Sequence, residues 1–238
     1  MSFSVPTVTR MWAEKQSIPL KYWASIESTN TQAKNDSLNE PFILYLTSHQ
    51  TGGRGRGTNT WTDANEPSSH FLLSSWCFRM DKNPQPIASP LMGLALYQAA
   101  SRVWPKLHWS LKAPNDLYLE GKKVAGLLVE TVKMGREVRI VIGLGMNVFS
   151  HPPVELAGSI AEFYPEVNEE EWHRFLTAWL KELHRTKSQW AESVMNHSAC
   201  RDLMTALNRW PLLPEKIERV DPSGSLQTPS RIYSWFDL

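Results

Sequence analysis

Cysteine, charge of one sign and long apolar runs are all scarce in this chain. Cys77 and Cys200 are the two cysteines among 238 residues, too few and too widely separated for a metal site or a secreted disulfide scaffold. Lys and Arg number 25 against 24 Asp and Glu, leaving a formal charge of +1. A general surface affinity for nucleic acid or anionic membrane is therefore not expected, and any polyanion must be held by a local cluster. No stretch approaches the roughly 20 apolar residues that span a bilayer. The N-terminal MSFSVPTVTRMW has no basic segment leading into an apolar run, so it does not read as a signal peptide, and cytoplasmic residence is the expectation. The histidines (His49, His70, His108, His151, His173, His184, His197) are scattered without metal-ligand spacing. No Ser/His/Asp or Cys/His arrangement marks an enzyme nucleophile. Internal repeats and low-complexity tracts are also missing.

What is present is the composition of an ordered globular chain, 42% hydrophobic and 21% charged. At about 150 residues per domain the length corresponds to about one and a half domains, enough to bury a core without disulfides or metal. Helical and strand patterns alternate, which predicts a mixed α/β or α+β arrangement. Ser28 or Thr29 is placed to N-cap a short helix running to about Leu38. Phe42–Thr47 and Phe71–Phe78 read as apolar strands separated by the glycine-rich stretch Gly52–Thr60. Leu91–Val103 has helical spacing. Leu107–Leu111, Leu117–Leu119, Val124–Val132 and Val138–Phe149 read as strands. Glycines at 143 and 145 inside the last of these mark a bulge or a place where a ligand approaches the backbone. Trp172, Phe175, Leu176, Trp179, Leu180 and Leu183 predict an amphipathic helix over Glu169–Trp190, with an acidic start that suits the helix dipole. A boundary falls near Pro211–Pro214, dividing residues 1–210 from a short piece, 211–238, with two strand-like segments.

Chemistry concentrates in a few places. Gly52-Gly53-Arg54-Gly55-Arg56-Gly57, closed by Trp61, interleaves residues that let a backbone approach a ligand with forked donors for carboxylate or phosphate. On composition alone it is equally a surface loop, and RG-rich segments also bind RNA. It lacks the Lys-Ser/Thr ending of a P-loop, so a Walker-type NTPase is not expected. Lys112-Ala113-Pro114-Asn115-Asp116 is an ordinary turn former by itself. It is followed, however, by Lys123 directly before the apolar strand Val124–Val129, a rigid mount for a charge that stabilises an anionic reacting centre. Gly143-Leu144-Gly145-Met146-Asn147 and Ser28-Thr29-Asn30 are weak signals in isolation.

Taken in order, these pieces resemble the biotin protein ligase family (biotin–[acetyl-CoA-carboxylase] ligase). The residues that carry the resemblance are Ser28-Thr29-Asn30; Gln50 with Gly53-Arg54-Gly55-Arg56 and Trp61; Lys112 with Pro114-Asn115-Asp116; Lys123 with Ala125-Gly126; and Gly143 to Asn147. They span roughly Lys21 to Phe149, and five modest motifs in the right order are specific together. The resemblance implies an α+β fold, a mixed β-sheet packed against helices, with 211–238 a reduced C-terminal β-barrel. It implies biotin and ATP, with Mg2+, as ligands: biotin's carboxylate attacks the α-phosphate to give biotinyl-5′-adenylate, and the ε-amine of a carrier-domain lysine then takes the biotinyl group. By that resemblance Ser28, Thr29, Gln50, Gly53, Arg54, Lys123, Gly126, Leu128 and Gly143 contact biotin. Arg56, Trp61, Lys112, Asn115, Asp116 and Asn147 serve the nucleotide, Lys123 and Arg54 are catalytic, and Asp116 is the carboxylate near Mg2+. The expected partner is a biotin carboxyl carrier protein, with no nucleic acid and no membrane, and the chain acts as a monomer or homodimer.

Physical chemistry makes this implied assignment coherent. Carboxylate and triphosphate repel until cations lie between them, and no enzyme nucleophile is required. There are departures. After Arg56 the family's loop is commonly richer in cations, whereas here it reads Gly57-Thr58-Asn59-Thr60, which predicts weaker retention of the adenylate. Position 113 is Ala where the family has a large aromatic. The stretch before Lys21 is too short for a helix-turn-helix domain, so a repressor role is not expected. Rival readings are a lipoate or octanoate ligase or transferase of the same superfamily, a non-catalytic biotin-binding regulator, and an RNA-binding protein using the RG loop.

Overall fold

The strands form where β-branched and aromatic residues cluster, and the segments most buried on both sides are the most continuously apolar. In the computed structural model, residues 2–36, 40–61, 68–135 and 137–235 are described. They divide into two compact units, residues 1–83 with 124–176 and residues 84–123 with 177–238.

The first unit is built on a mixed sheet. Strands β1 (Leu20–Trp23) and β2 (Phe42–Thr47) run parallel. Strands β3 (Phe71–Met80), β7 (Glu137–Asn147) and β6 (Lys122–Met134) continue the order β1-β2-β3-β7-β6 in antiparallel register. The hairpin that joins β6 to β7 carries β6 two residues beyond the expected Val132 and starts β7 one residue before Val138, while β7 ends at Asn147, two residues short of the expected Phe149. Glycines 143 and 145 do not interrupt β7; it pairs without a break from Glu137 to Asn147.

Helix α1 (Val5–Lys15) covers one face of this sheet. It carries Pro6 in its first turn, where the missing N–H costs nothing, and packs Trp12 against Trp76 of β3 with ring centroids 5.9 Å apart and the planes tilted by 52°. The spacing Val5, Val8, Trp12 is a helical signal to which sequence reading assigns no element, and the same holds for β1. Helix α2 (Thr29–Asn35) lies on the opposite face, where Ala33 packs with Ile43, Tyr45, Cys77 and Val141. Ser28 is its N-cap, with Oγ 3.4 Å from Thr31 N. The helix stops at Asn35, earlier than expected, and Leu38 lies outside the described residues. Its final carbonyls, which have no partner within the helix, are met by the buried Arg139 of β7, whose Nη1 donates to Asp36 O at 2.8 Å. Asp36 in turn accepts from Lys21 at 2.6 Å and from Tyr45 at 3.1 Å.

In the second unit, helix α3 (Ala88–Val103) is apolar nearly all round, as a buried helix must be. Strands β4 (Trp109–Lys112) and β5 (Asp116–Leu119) pair antiparallel, with Lys112 opposite Asp116. Helix α4 (Ile160–Phe163) is a single turn of the first unit, and the division between units falls within α5 (Glu169–Thr186). The last helix, α6 (His197–Leu207), is capped by Asn196. Helix α5 ends at Thr186, short of the expected Trp190. Thr186 Oγ1 bonds back to Glu182 O at 2.9 Å and the indole N–H of Trp190 lies 3.2 Å from the same hydroxyl, so the chain tightens into a 3-10 turn over Lys187–Gln189. Three short strands follow, β8 (Arg219–Val220), β9 (Ser225–Gln227) and β10 (Ile232–Ser234), in the order β10-β9-β8. That is one strand more than the two expected after Pro214. Among the described residues no helix is long and apolar enough to cross a membrane.

Because Arg139 terminates α2, Arg139→Met is expected to lower stability by about 2–3 kcal/mol, the value of a hydrogen bond from a buried charged donor. Urea unfolding with an unchanged denaturant slope checks this; a midpoint equal to that of the wild type contradicts it.

Candidate functional site

Residues directly opposite one another in a sheet point to the same side. The register pairs Ser75 with Gly143 and Leu73 with Gly145, and on the other side of β7 pairs Leu128 with Gly143 and Gly126 with Gly145. Three glycines on two adjacent strands thus share the face that α2 covers, leaving a patch of sheet with no side chains. The patch is in use. A Cβ on Gly143 would stand 2.5 Å from Asn30 Oδ1, and one on Gly145 would stand 2.5 Å from Cε2 of Trp61. The first residues of α2 and the indole that ends the Gly/Arg loop therefore lie directly on the backbone of β7.

A hydrogen-bonded chain runs across this patch. The backbone N–H of Thr29 donates to Gln50 Oε1 at 2.9 Å, and the Thr29 hydroxyl lies 3.2 Å from the same atom. Ser75 Oγ is 2.7 Å from Thr29 Oγ1 and also donates toward Asn30 Oδ1. The Asn30 amide donates to Leu128 O at 3.2 Å and to Glu130 Oε2 at 2.9 Å. Ser28, Thr29 and Asn30 are all buried, so these polar groups are retained at a desolvation cost that only a complete network offsets.

Glu130 closes the chain with charge. Its Oε1 accepts from Lys34 Nζ at 2.7 Å and its Oε2 from Arg54 Nη2 at 2.8 Å. Burial pushes the Glu130 carboxyl up, but hydrogen bonds from Lys34 and Asn30 and the charges of Arg54 and Lys34 outweigh it and hold the group below its ordinary value. Arg54 thus reaches β6 at Glu130, already paired to a carboxylate of the protein. Gly53 is buried beneath the loop, and its carbonyl accepts from Trp61 N at 3.1 Å. Arg56 is exposed in the same loop. Asn147 lies on the face of Gly143 and Gly145 at the end of β7; its amide donates to Gly158 O at 2.9 Å. Its Oδ1 is buried and meets no donor among the described residues, which leaves an acceptor for a ligand N–H.

The remaining sequence-predicted residues belong to the second unit. Lys123 Nζ is 2.7 Å from Asp116 Oδ2. Lys112 lies over the Trp210 ring, 5.2 Å from its centroid. Asn115 sits in the β4–β5 turn beside Asp116. No group of three or more His, Cys, Asp or Glu side chains forms a metal cluster among the described residues. Asp116 is a single carboxylate bonded to the Lys123 ammonium, with no second acid or histidine forming a cluster around it among the described residues. Cys77 lies on the α2 face, but burial pushes its thiol up to about 12, the Arg139 charge opposing only in part. It is inert as a nucleophile.

Sequence reading overlooks Glu130, Lys34 and Ser75. The signals exist: Glu130 is an acid inside the apolar run VAGLLVETV, and Ser74-Ser75 breaks FLLSSWCF. A polar residue within a strand that reads as core asks for a partner, and here the partners come from α2 and the loop.

Fold and site together define a class, an α+β domain whose chemistry is presented by a bared sheet face, a cationic glycine loop and a helix start. The profile of the biotin/lipoate A/B protein ligase family matches residues 22–147, more than half of the chain, and the chain belongs to that family. It is 30% identical over 126 residues to the biotin–protein ligase of Homo sapiens, covering 51% of this chain and 17% of that protein. It is 36% identical over 107 residues to the bifunctional ligase/repressor BirA of Escherichia coli, covering 43% and 32%. The matches thus span about a third or less of the length of these relatives. Biotin protein ligase from Aquifex aeolicus, solved in complex with biotin and ATP, shares the fold with a TM-score of 0.67 at 20% identity, covering 90% of this chain and 94% of that one.

The seat of Trp61 on Gly145 is directly testable. Gly145→Ala should destabilise by about 1–3 kcal/mol through overpacking, and adding Trp61→Ala should recover most of that loss. A double variant no more stable than Gly145→Ala alone would show that the indole does not occupy this place.

Proposed function

We propose that this chain is an ATP-dependent biotin protein ligase that forms biotinyl-5′-adenylate and transfers biotin to a lysine of a biotin carboxyl carrier domain in the cytoplasm. The observation that carries the reading is the bared glycine patch of β6 and β7, bounded by the buried Thr29–Gln50–Ser75–Asn30 network and by Arg54. Because Asn30 and Trp61 lie on Gly143 and Gly145, the half-buried Gly126 and Leu128 beside them are what the sheet offers a compact ring system, while the network offers hydrogen-bond partners and the loop offers charge to a carboxylate.

In the first step the carboxylate of biotin attacks the α-phosphate of Mg–ATP and pyrophosphate leaves. Ser28, Thr29, Gln50, Gly53, Gly126, Leu128 and Gly143 hold biotin in this reading. Arg54 and Lys123, the second residue of β6, are the cations assigned to the carboxylate and to the charge that develops on the acyl-phosphate. Charge placed where it develops during reaction is the largest catalytic contribution available to a site without a nucleophile. Asp116 orients Lys123 through their ion pair. Arg56, Trp61, Lys112 and Asn115 serve the nucleotide, and Asn147 Oδ1 accepts a nucleobase amino proton. In the second step the ε-amine of the carrier lysine attacks the acyl carbon, AMP leaves, and an amide forms. That amine is almost wholly protonated at neutral pH, its ordinary value being about 10.4, so proximity is the main aid the enzyme gives it. Residues 211–238 are read as a reduced form of the family's C-terminal barrel.

The family name covers lipoate as well as biotin, so the acid must be assayed directly. Biotin should drive acid-dependent pyrophosphate release and labelling of a purified carrier domain, with lipoate and octanoate inactive. Lys123→Ala should lower the rate of adenylate formation by about 10²–10³-fold, as loss of a transition-state charge contact does. Labelling by lipoate in place of biotin would overturn the choice of substrate. The cation-poor Gly57–Thr60 segment predicts early release of the adenylate. Asn59→Arg should lengthen its residence by about tenfold, the effect of one added charged phosphate contact of about 1.4 kcal/mol; an unchanged half-life contradicts this.

A further inference from the structure

Lys112 and Asp116 face each other across the β4–β5 pair, the position at which opposite charges ordinarily meet. They do not pair. The carboxylate is taken by Lys123, whose Nζ lies 2.7 Å from Asp116 Oδ2. The Lys112 ammonium lies instead over the Trp210 ring, 5.2 Å from its centroid. A ligand therefore meets two different lysines. Lys123 is paired with an acid, whereas Lys112 is held by a π face that attracts the ammonium without cancelling its charge.

Trp210 is firmly mounted. It follows α6, just before the boundary at Pro211–Pro214, and its neighbours are tied on both sides. Asn208 donates from Nδ2 to Ile217 O and accepts at Oδ1 from Ile217 N, both at 2.8 Å, which closes the chain around residues 208–217. Arg209 Nη1 donates to Tyr97 OH of α3 at 2.9 Å, and the backbone N–H of Trp210 donates to Leu207 O at 3.0 Å. The ring is buried and also packs on Tyr118 of β5, with centroids 5.8 Å apart. Its indole N–H meets no acceptor among the described residues, so what Trp210 offers its surroundings is the ring face. The next residue, Pro211, has its Cγ 3.4 Å from where a Cβ on Gly121 would stand. The same two residues thus abut the turn that leads into Lys123.

We propose that Trp210 is a positioning residue for Lys112: its ring keeps the ammonium off Asp116 and leaves an unneutralised charge at the end of β4 for an anionic ligand. Without the ring, Lys112 turns to its cross-strand acid and competes with Lys123 for it, and one cation of the site is lost to an internal pair. That the anion is a nucleotide phosphate rests on the ligase reading; the seating of Lys112 does not.

The seating is read without any ligand. Reductive methylation with isotope-labelled formaldehyde marks the lysine amines, and methyl groups held over an indole face resonate upfield of those in solvent. One such upfield signal is expected in the wild type, assigned by its absence in Lys112→Arg. In Trp210→Leu it should fall back among the other lysine signals. A wild type without an upfield Lys112 signal, or a signal that persists in Trp210→Leu, overturns the proposal. In steady-state assays Trp210→Leu should raise KM for Mg–ATP about fivefold, the size of one cation–π contact. KM for the acid should stay within about twofold. Trp210→Phe, which keeps a ring face, should restore most of the loss. Adding Trp210→Leu to Lys112→Met should cost nothing further, because both act through one contact. Penalties that multiply in the double variant mark a merely structural role and overturn the proposal. Urea midpoints separate a local change from general unfolding, and Trp210→Met, which fills the space without a ring, serves if Trp210→Leu does not fold. An upfield Lys112 signal that depends on Trp210, in a protein that turns over neither biotin nor ATP, removes the ligase reading and leaves the seating in place. Biotin turnover with no such signal does the reverse.

Discussion

The site depends on how closely helix α2 and Trp61 approach the backbone of β7. Asn30 occupies the space that a side chain at 143 would fill, and the Trp61 indole occupies that of a side chain at 145. With any larger residue there the start of α2 lifts from the sheet, the Asn30 amide loses Leu128 O and Glu130, and the loop that ends in Trp61 loses its seat. The same closeness forces the polar composition of the contact. A helix start pressed onto a sheet brings unpaired N–H groups into a dry place, and Gln50, Ser75 and Glu130 meet the helix's side-chain and backbone groups from three separate segments.

Charge is arranged with the same economy. A chain of net charge +1 has no general field to draw in a polyanion, so its cations act through position. Lys34 and Arg54 share Glu130, and Lys123 is held by Asp116. Paired in this way, each cation has a defined carboxylate partner, which suits the proposed ligase reaction, in which two anions must be brought together and no covalent enzyme intermediate forms. The buried thiol of Cys77, pushed up to about 12, adds no nucleophile to the site.

Much of the site was legible in the chain because its motifs are local. Ser28-Thr29-Asn30, Gln50 to Arg56, Gly126 with Leu128, and Gly143 to Asn147 each keep their meaning within a few residues, and the register brings them to one face. Glu130 was not legible, because an acid in an apolar strand acquires a role only from what lies across from it, and Asn30, Lys34 and Arg54 are about 75 to 100 residues away in sequence. The same reason governs the ends of helices. Periodicity carries α5 on to Trp190, whereas the back-bond of Thr186 and the hydrogen bond from Trp190 turn the chain at 186.

The sequence by itself determined the alternation of strands and helices, the alternating side-chain pattern that puts residues 143, 145 and 147 on one side of β7, and the supply of cations in a glycine loop. These follow from backbone geometry and nearest neighbours. Tertiary structure decided which partners those groups meet: that the bare backbone of β7 is covered by Asn30 and Trp61, that Arg139 ends α2, and that Glu130 takes both Lys34 and Arg54. Those choices are made by strand register and by the cost of leaving a buried polar group unpaired, and neither can be read until the strands lie side by side.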